Sequence, residues 1–499
     1  MIASNRGGYV ALAGLSVGIF IAALDQTVVV TALPSIIADL GVSFTRLNQA
    51  AWIVTGYLLG YTVAMPLFGR VADVYGRRRT YVLCSLLFVA GSVLCGLSRD
   101  LYWLIGARML QAAGGGALVP VALAIAGDKF APGKRSLIFG LIGAIAEAGG
   151  VLGPVYGAFV VEHLSWRWIF YLNVPIGLVV IAAACFFTRD TEADRCCRGS
   201  VDYLGALLIG AALAALTVGL SQEAGGDSYP AVALLLVALA VVLLLVFVRV
   251  ESRIAQPLLD LKMFARMPFS AGNATSFLVG VALITAMVDV PLMAATALQR
   301  SPLESGLMLV RLTALLPFGA IAGGALCQRI GTRSVGVLGL ALSALGLYLT
   351  AQWTGRVGEW EITRDLAMAG VGFGLVIAPV TSSVLSSAGQ ERSGVASALV
   401  TVTRMIGMMV GLSALTSWGL GRFNSLVGRI PLPLPIADEA ASAFQQRVQI
   451  YQQEVLQATH AVFNEVFLAA AIVCVLAIVV VLFMGARERP VASEEDRAG

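Results

Sequence analysis

Long apolar stretches recur along the whole of this 499-residue chain, and most of them are separated only by short polar segments. A membrane-spanning helix needs about 20 mostly apolar residues. Fourteen stretches meet that length, with approximate bounds 8–38, 47–69, 80–97, 101–126, 136–160, 168–187, 203–221, 231–248, 269–297, 305–327, 335–353, 366–387, 394–420 and 462–484. The chain is 58% hydrophobic and 12% charged, whereas about a quarter of the residues in a soluble domain are charged. The sequence therefore predicts an all-α polytopic membrane protein with 14 transmembrane helices.

Basic residues predict the orientation of these helices. With the N-terminus in the cytoplasm, about two thirds of the 33 lysine and arginine residues fall in cytoplasmic segments, as the positive-inside rule requires. Both termini are therefore expected in the cytoplasm. The net charge of +4 is small and dispersed, so it does not indicate a nucleic-acid partner.

A charged run, Gly69–Arg79, joins the second and third spans. Gly69 and Gly76 permit a backbone reversal. Asp73 is placed to interact with a helix terminus or an arginine, and the three arginines that begin at Arg77 cannot be drawn through the bilayer. The pattern predicts a tight cytoplasmic gating loop between two membrane helices.

Three further motifs accompany the charged run. They are LDQTVVVTALP at Leu24–Pro34 in the first span, GGVLGPVYG at Gly149–Gly157 in the fifth, and WRWIFYLNVPIG at Trp166–Gly177 at the start of the sixth. Together the four motifs resemble those of the fourteen-helix drug:proton antiporter branch of the major facilitator superfamily. The fifth-span stretch matches the antiporter motif of that branch, in which small residues let helices approach closely and a proline bends the span. Its residues here are Gly149, Gly153, Pro154 and Gly157.

The resemblance covers the whole chain and implies a major facilitator fold divided as six, two and six helices. We expect an N-terminal six-helix bundle over 1–187, two inserted helices with a cytoplasmic linker over 188–268, and a C-terminal six-helix bundle over 269–499. The inserted pair is rich in Leu, Val and Ala, as expected of helices that face lipid. A weaker echo of the charged run, at Gly323–Arg333, suggests parallel halves that rock about a central cavity.

Ionisable residues inside a membrane span are costly and therefore indicate function. With Glu465 set aside because it lies at the outer end of the last span, six remain: Asp25, Arg108, Glu147, Asp289, Arg311 and Arg404. Glu147 and Arg404 lie at a similar depth in the fifth and thirteenth spans, roughly 16 Å from the cytoplasmic face. We expect these two residues to meet across the halves.

The other four charges suggest pairs within each half, Asp25 with Arg108 and Asp289 with Arg311. Each pair could be purely structural. Proton coupling instead needs a carboxyl that gains and loses a proton near neutral pH, and Asp25 and Glu147 have suitable locations. A carboxyl that gains and loses an arginine neighbour during a transport cycle would change its proton affinity with conformation.

An outer arm of about 40 residues, 421–461, separates the last two spans, where a few residues would suffice. It contains three prolines, Pro431, Pro433 and Pro435, followed by Asp438, which is expected to cap a helix. Apolar residues then recur at helical spacing: Phe444, Val448, Tyr451, Val455, Val462 and Val466. This stripe predicts a helical hairpin that continues into the last span.

Further stretches, at 51–61, 288–290, 372–379, 404–408 and 417–424, look like those of the mycobacterial triacylglyceride exporters of the same superfamily. That resemblance implies a lipid substrate, a bacterial plasma membrane, an elongated outer hairpin and a periplasmic lipid-carrying lipoprotein as a partner. The sequence thus supports two functions, a proton-coupled exporter of a neutral lipid such as triacylglyceride and a multidrug:proton antiporter. An aliphatic cavity lining would favour the lipid, whereas aromatic residues and a free acid would favour drugs.

Other classes of function are not indicated. Gly133–Arg135 lacks the upstream glycine and the hydroxyl residue of a phosphate-binding loop, so ATP is not expected to supply energy. No metal or cofactor is expected, and no buried histidine stands beside a nucleophile. An enzyme such as a membrane-embedded acyltransferase, or a receptor, is therefore not predicted.

Overall fold

A computed structural model describes residues 2–42, 47–129, 132–187, 202–221, 230–254, 261–355, 357–388, 393–434 and 441–485. Within these ranges the chain is helical and contains no β-strand. Thirteen helical stretches of the described residues are long and apolar enough to cross a bilayer. The remaining predicted span coincides with a further 32-residue helix, Pro132–His163. The predicted all-α polytopic fold is therefore confirmed.

The first part of the chain forms eight helices. They are α1 (Ile2–Asp39), α2 (Leu47–Ala50), α3 (Trp52–Tyr75), α4 (Arg77–Gly96), α5 (Leu101–Lys129), α6 (Pro132–His163), α7 (Arg167–Tyr171) and α8 (Asn173–Phe187). Helix α1 packs against α6, α3 against α5, and α4 against both α5 and α8. We call the face at which α1 begins the inner face and the opposite one the outer face; the charge distribution predicts that the inner face meets the cytoplasm.

Two helices follow, α9 (Tyr203–Leu220) and α10 (Pro230–Glu251). They pack against each other, and α9 also contacts α3 and a later helix, α16 (Ser393–Val427). The Asp202 side chain caps α9 by accepting a hydrogen bond from the Gly205 amide at 2.8 Å. Only 11% of the residues in the most apolar stretch of α10 are buried. Helix α10 therefore presents most of its surface to lipid, as its composition predicts. The domain boundaries at 187 and 268 stay predictions.

A short 3-10 turn, Leu261–Ala265, leads into the second half of the chain. Its other helices are α11 (Met267–Thr296), α12 (Pro302–Thr313), α13 (Leu316–Ile330), α14 (Thr332–Thr350), α15 (Glu359–Ala388) and α17 (Ala441–Val481). A capping box starts α12, because the Ser301 hydroxyl accepts from the Glu304 amide and the Glu304 carboxylate accepts from the Ser301 amide. Helices α12 and α13 together form one span, broken at Ala314 and Leu315.

The two halves contain equivalent close helix pairs. In the first half, α6 packs on α1 through glycines; in the second, α16 packs on α11. A Cβ at Gly411 would lie 2.7 Å from the Cα of Val281, and one at Gly407 would overlap the backbone of Phe277. Because α1 and α11 begin the halves and α6 and α16 occupy corresponding later positions, the helix packing has the parallel repeat that the sequence suggests.

The charged loop is shorter than the sequence predicts. Helix α3 continues to Tyr75 and α4 begins at Arg77, so the chain reverses at Gly76 alone. Gly76 has φ 100°, a conformation that favours glycine. The expected role of Gly69 in the reversal is therefore wrong, since Gly69 lies within α3, where the flanking residues sustain the helix. The side chain of Asp73 lies outside the described part of the structure.

Arginines at this loop bind the ends of neighbouring helices. Arg77 Nη1 donates to the Ala124 carbonyl at 2.9 Å, and Arg78 Nη2 donates to the Cys185 carbonyl at 2.6 Å. In the second half Gly331 has φ 84°, and Arg333 Nε donates to the Met484 carbonyl at 2.5 Å. The echo predicted at Gly323–Arg333 is thus present, with an arginine near the carbonyl end of a helix, where positive charge is favourable.

The predicted helix of the outer arm is present. Helix α17 runs unbroken over 41 residues, which corresponds to about 60 Å, whereas the hydrocarbon core of a bilayer is about 30 Å thick. On this helix Phe444, Val448, Tyr451 and Val455 are half-buried, and Gln445, Gln446, Gln452 and Gln453 are exposed. Pro435 and the predicted cap Asp438 lie outside the described residues.

The halves touch each other toward the outer face. Helix α6 packs against α12, and α16 packs against α2 and α3. A Cβ added at Gly306 of α12 would overlap the Cβ of Ala158 and lie 3.2 Å from the Pro154 carbonyl oxygen. Ala158 is near the outer end of α6 and Gly306 near the outer end of α12, so this conformation brings the outer ends of these helices together.

Replacing Gly306 by leucine is expected to force the outer ends of α6 and α12 apart. Overpacking costs roughly 1–3 kcal/mol, enough to shift a two-state population by about tenfold. Spin labels at Phe159 and Leu307, whose side chains are exposed, would report a longer distance by pulsed electron paramagnetic resonance. Gly150→Leu serves as the control, because nothing lies within 4 Å of a Cβ there. An unchanged distance in Gly306→Leu would contradict the assigned contact.

Candidate functional site

A fully buried ion pair lies inside the first half of the protein. Arg108 Nη1 of α5 donates to Asp25 Oδ2 of α1 at 2.5 Å, and neither side chain has any exposed surface. The pairing predicted from their location is confirmed. An arginine and a carboxylate buried in this way are each very costly alone, so each requires the other.

Two amides complete the surroundings of the Asp25 carboxylate. Gln111 Nε2 and Asn173 Nδ2 donate to Asp25 Oδ1 at 2.9 and 2.8 Å. Gln111 is three residues after Arg108 on α5, hence on the same helix face, and its Oε1 accepts from Arg108 at 2.7 Å. Asp25 thus receives three side-chain hydrogen bonds from α5 and α8, which joins these helices to α1.

Two aromatic rings pack near the guanidinium group of Arg108. The Arg108 Cζ lies 3.9 Å from the centre of the Tyr57 ring and 5.7 Å from that of Phe170. Such cation–π contacts strengthen when they are desolvated. Gln111, Asn173 and both rings carry no signal in the sequence that marks them as partners of the ion pair. Asn173 lies within the sixth-span motif and Gln111 has helical spacing from Arg108, but neither pattern shows which way a side chain points.

The antiporter-motif glycines make the contact between α6 and α1. A Cβ at Gly149 would overlap the Phe20 carbonyl, and one at Gly153 would lie 2.8 Å from the Leu24 carbonyl oxygen. At Gly157 a Cβ would lie 2.5 Å from the Val28 carbonyl oxygen. Small residues are therefore needed for this close approach.

Hydroxyl groups add polar contacts along the same seam. Thr27 Oγ1 donates to the Gly150 carbonyl at 2.9 Å, and Thr31 Oγ1 donates to the Pro154 carbonyl at 3.4 Å. The acceptor of the second bond is the carbonyl of the motif proline itself, which lies inside α6. The motif residues thus form the contact between α1 and α6, and Pro154 also contacts Gly306 of α12.

Glu147 and Arg404 occupy related positions on equivalent helices. Glu147 lies two residues before Gly149 on α6, and Arg404 three residues before Gly407 on α16. The Arg404 side chain is half-buried. The side chain of Glu147 lies outside the described part of the structure, so the predicted contact between the two stays a prediction.

The predicted pair of Asp289 and Arg311 is wrong. Arg311 Nη2 instead donates to Glu359 Oε2 at 2.7 Å, and Arg300 Nη2 donates to Glu359 Oε1 at 2.6 Å. Glu359 is the first residue of α15 and lies outside the predicted spans, so it was not a candidate charge within the membrane. Arg300 also lies 3.5 Å from Glu304, so these ion pairs form a network at the outer face.

A further ion pair joins the last two helices. Arg422 of α16 makes a two-pronged contact with Glu465 of α17, with Nε to Oε2 at 2.9 Å and Nη2 to Oε1 at 3.0 Å. Both side chains are about one third exposed, at 40% and 34%. Among the residues that the structure describes, no group of three or more His, Cys, Asp or Glu side chains is arranged to hold a metal ion.

Comparisons with known proteins agree with this architecture. A bacterial homologue of the human lysosomal transporter Spinster, solved in an inward-facing and occupied conformation, superposes with a TM-score of 0.65 at 16% identity, covering 94% of this chain and 95% of that one. At that identity the likeness concerns the fold. The match extends over nearly the whole of both chains.

Sequence relatives are closer. The triacylglyceride transporter of Mycolicibacterium hassiacum is 36% identical over 99% of this chain and 94% of its own length. The triacylglyceride transporter of Mycobacteroides abscessus is 37% identical over 85% of each chain. Residues 15–412 match the family model of the Major Facilitator Superfamily. The buried charge pair, the glycine-packed helix seams and these matches together show that the chain is a multi-pass membrane transporter of the major facilitator superfamily.

Proposed function

We propose that this transporter is a proton-coupled exporter of a neutral lipid, with triacylglyceride as the substrate, which it moves from the plasma membrane of a bacterium toward the periplasm by alternating access. The names and high coverage of its relatives support this substrate. Both termini would then lie in the cytoplasm, as the distribution of basic residues predicts. A periplasmic lipid-carrying lipoprotein would be the partner that receives the lipid.

The observation that carries the proposal is the long helical arm beyond the outer face. No side chain is buried over residues 421–434 and 442–457, so these segments are not packed in the helical bundle. Yet Phe444, Val448 and Tyr451 share one half-buried face of α17. A lipid that leaves a bilayer needs cover for its acyl chains, and an apolar face along the arm would provide it.

The opposite helix of the arm has a matching apolar face. Phe423, Leu426 and Val427 of α16, and Ile430 just beyond its end, are half-buried, whereas Asn424 and Ser425 are exposed. The Arg422–Glu465 ion pair joins α16 to α17 at the base of the arm. An ion pair at this position would hold the two apolar faces in register where the lipid leaves the bundle.

Proton coupling would use the charges inside the spans. In the present conformation Asp25 is tied to Arg108, and we expect it to exchange a proton only when that contact loosens. Glu147 and Arg404 are expected to meet across the halves and to separate during the cycle. Asp73, in the gating loop, would stabilise the outward-open conformation by pairing with a helix terminus or an arginine.

A multidrug:proton antiporter is the second candidate. The observation that favours it is Asp289, a carboxyl inside the membrane with neither a hydrogen bond nor an ion pair in the described structure. A free acid would suit a lipophilic cation. The accessible side chains that share the Asp289 face of α11, namely Ala274, Leu278 and Leu292, are aliphatic, and such a lining favours an uncharged apolar substrate.

Replacing Asp25 by asparagine is expected to lower both stability and transport. It leaves the buried Arg108 without a counter-charge, which costs about 3–5 kcal/mol, so the thermal unfolding temperature of the purified protein should fall. The double variant Asp25→Asn, Arg108→Gln removes both charges and should recover most of that stability while transport stays low. Transport by the double variant at the wild-type rate would show that the pair is only structural.

Shortening the arm separates the two candidate functions. Replacing residues 424–457 by a short Gly/Ser turn keeps the Arg422–Glu465 pair and should leave the spans intact, because each helix satisfies its own backbone in lipid. Transfer of labelled triacylglyceride from proteoliposomes to an acceptor is expected to be lost, whereas amphiphilic dyes should still be exported if the protein is a drug antiporter. Lipid transfer that persists would contradict the role of the arm.

A finer pair of variants tests the apolar face itself. Val448→Asp places a charge on the half-buried face, and Gln453→Asp places the same charge on the opposite, exposed face of the same helix. Lipid transfer should fall about tenfold or more in the first variant, since an acyl chain would have to pass a hydrated carboxylate. It should stay near the wild-type rate in the second. Equal effects would contradict a lipid path along this face.

A further inference from the structure

Asp289 is a carboxyl within the membrane that has no cation beside it in the described structure, whereas Asp25 and Glu465 each bind an arginine. It lies seven residues before the end of α11, about 10 Å from the outer end of that helix. Its neighbours Val288 and Val290 are 4% and 0% exposed, while Asp289 itself is partly accessible. Its side chain therefore points from a buried helix toward an accessible space.

That space is in the interior of the protein. In the most apolar stretch of α11, 72% of the residues are buried, the highest share among the thirteen spans. The reason is that five helices pack around it: α1, α12, α15, α16 and α17. Ala274, Leu278 and Leu292 are also accessible to different degrees and share a helix face with Asp289. A helix enclosed on so many sides exposes such a face to a cavity between the halves.

Cations near Asp289 in depth are bound to other acids. Arg311 lies on the adjacent α12, about 14 Å from its outer end, and binds Glu359. Arg422 of α16 lies at nearly the same depth as Asp289 of α11. This follows from the helix register, because Gly407 contacts Phe277 and Gly411 contacts Val281. Arg422 binds Glu465.

The remaining titratable groups on the helices around α11 lie elsewhere. By the same helix register, Arg404 on α16 is about 22 Å nearer the inner face than Asp289. On α1, Asp25 is turned into the first half, where it binds Arg108. Groups nearer the outer ends of the other three helices are Glu304 on α12, Glu359, Glu361, Arg364 and Asp365 on α15, and Arg447, Glu454 and His460 on α17. Glu465 of α17 lies deeper, where it is paired with Arg422. At the inner end of α11, Lys262 lies in the preceding 3-10 turn.

Asp25 and Asp289 therefore have opposite surroundings in one conformation. Asp25 has no exposed surface and accepts hydrogen bonds from three side chains, one of them a cation, so its negative charge is compensated and solvent does not reach it. Asp289 is partly accessible and has no cation beside it in the described structure. A membrane carboxylate without a counter-charge is costly, and binding a proton removes that charge.

We infer that Asp289 is the proton-exchange site of this transporter in the conformation with the outer ends of α6 and α12 in contact. The inference rests on the proposed proton coupling and assigns the exchange to the second half, with Asp25 held as a charge pair in the same conformation. The ligand is a proton, which binds the carboxylate from the interior cavity. When the outer ends separate, the cavity opens to the other side and the same carboxyl equilibrates with that side.

A spectroscopic experiment tests the site without any transport assay. Infrared difference spectra between acidic and alkaline pH report the carbonyl band of carboxyl groups that bind a proton. Wild-type protein reconstituted in lipid should show a band from a buried carboxyl, and Asp289→Asn should lack it, while Asp289→Glu should shift it. Glu304→Gln is the matched control, since that acid is exposed at the outer face. A band that persists in Asp289→Asn would overturn the inference.

A flux experiment separates this inference from the proposed function. In proteoliposomes with a pH-sensitive dye inside, proton movement that depends on added triacylglyceride is expected in wild type, about tenfold less in Asp289→Asn, and unchanged in Glu304→Gln. Absence of coupled proton movement in wild type would contradict the proposed coupling, while the infrared band would still decide the site. Full coupling in Asp289→Asn, or loss of only cationic-dye export in that variant, would overturn the inference.

Discussion

The charge pair between Asp25 and Arg108 is the interaction on which the first half of the protein depends. Helices α1, α5 and α8 each contribute a side chain to it, and the rings of Tyr57 and Phe170 cover the guanidinium. Because neither charge can be left alone in a buried site, these helices cannot separate without a large cost. The glycine seam then joins α6 to α1, and α6 in turn packs against α12 of the second half.

The second half distributes its charges differently. Its ion pairs, Arg311 with Glu359 and Arg422 with Glu465, lie toward the outer ends of helices and are partly exposed. The acid at depth, Asp289, is left without a counter-charge in the described structure. This asymmetry gives the halves different roles in the proposed cycle: the first half keeps Asp25 paired with Arg108, and the second half offers a carboxyl to the cavity.

Much of the fold could be predicted from the sequence, because the bilayer requires long apolar helices and each leaves a clear pattern. The Asp25–Arg108 pair and the helix of the arm followed from similar arguments. Side-chain direction could not be predicted: Gln111 and Asn173 carry no charge to mark them, and Arg311 turns to Glu359 because α15 begins beside it rather than to Asp289. Gly69 was assigned to a turn, yet its neighbours continue α3 as far as Tyr75, and Gly76 alone reverses the chain.

The identity of the transported molecule is the central claim, and the lipids that stay bound during purification test it most directly. The protein would be extracted from its native membrane, and its bound lipids quantified by mass spectrometry beside those of an unrelated polytopic protein from the same membrane. Triacylglyceride enriched over its share in the membrane, and absent from the control protein, is the predicted result. Phospholipids in membrane proportion without triacylglyceride, or displacement of every bound lipid by a cationic drug, would contradict the account.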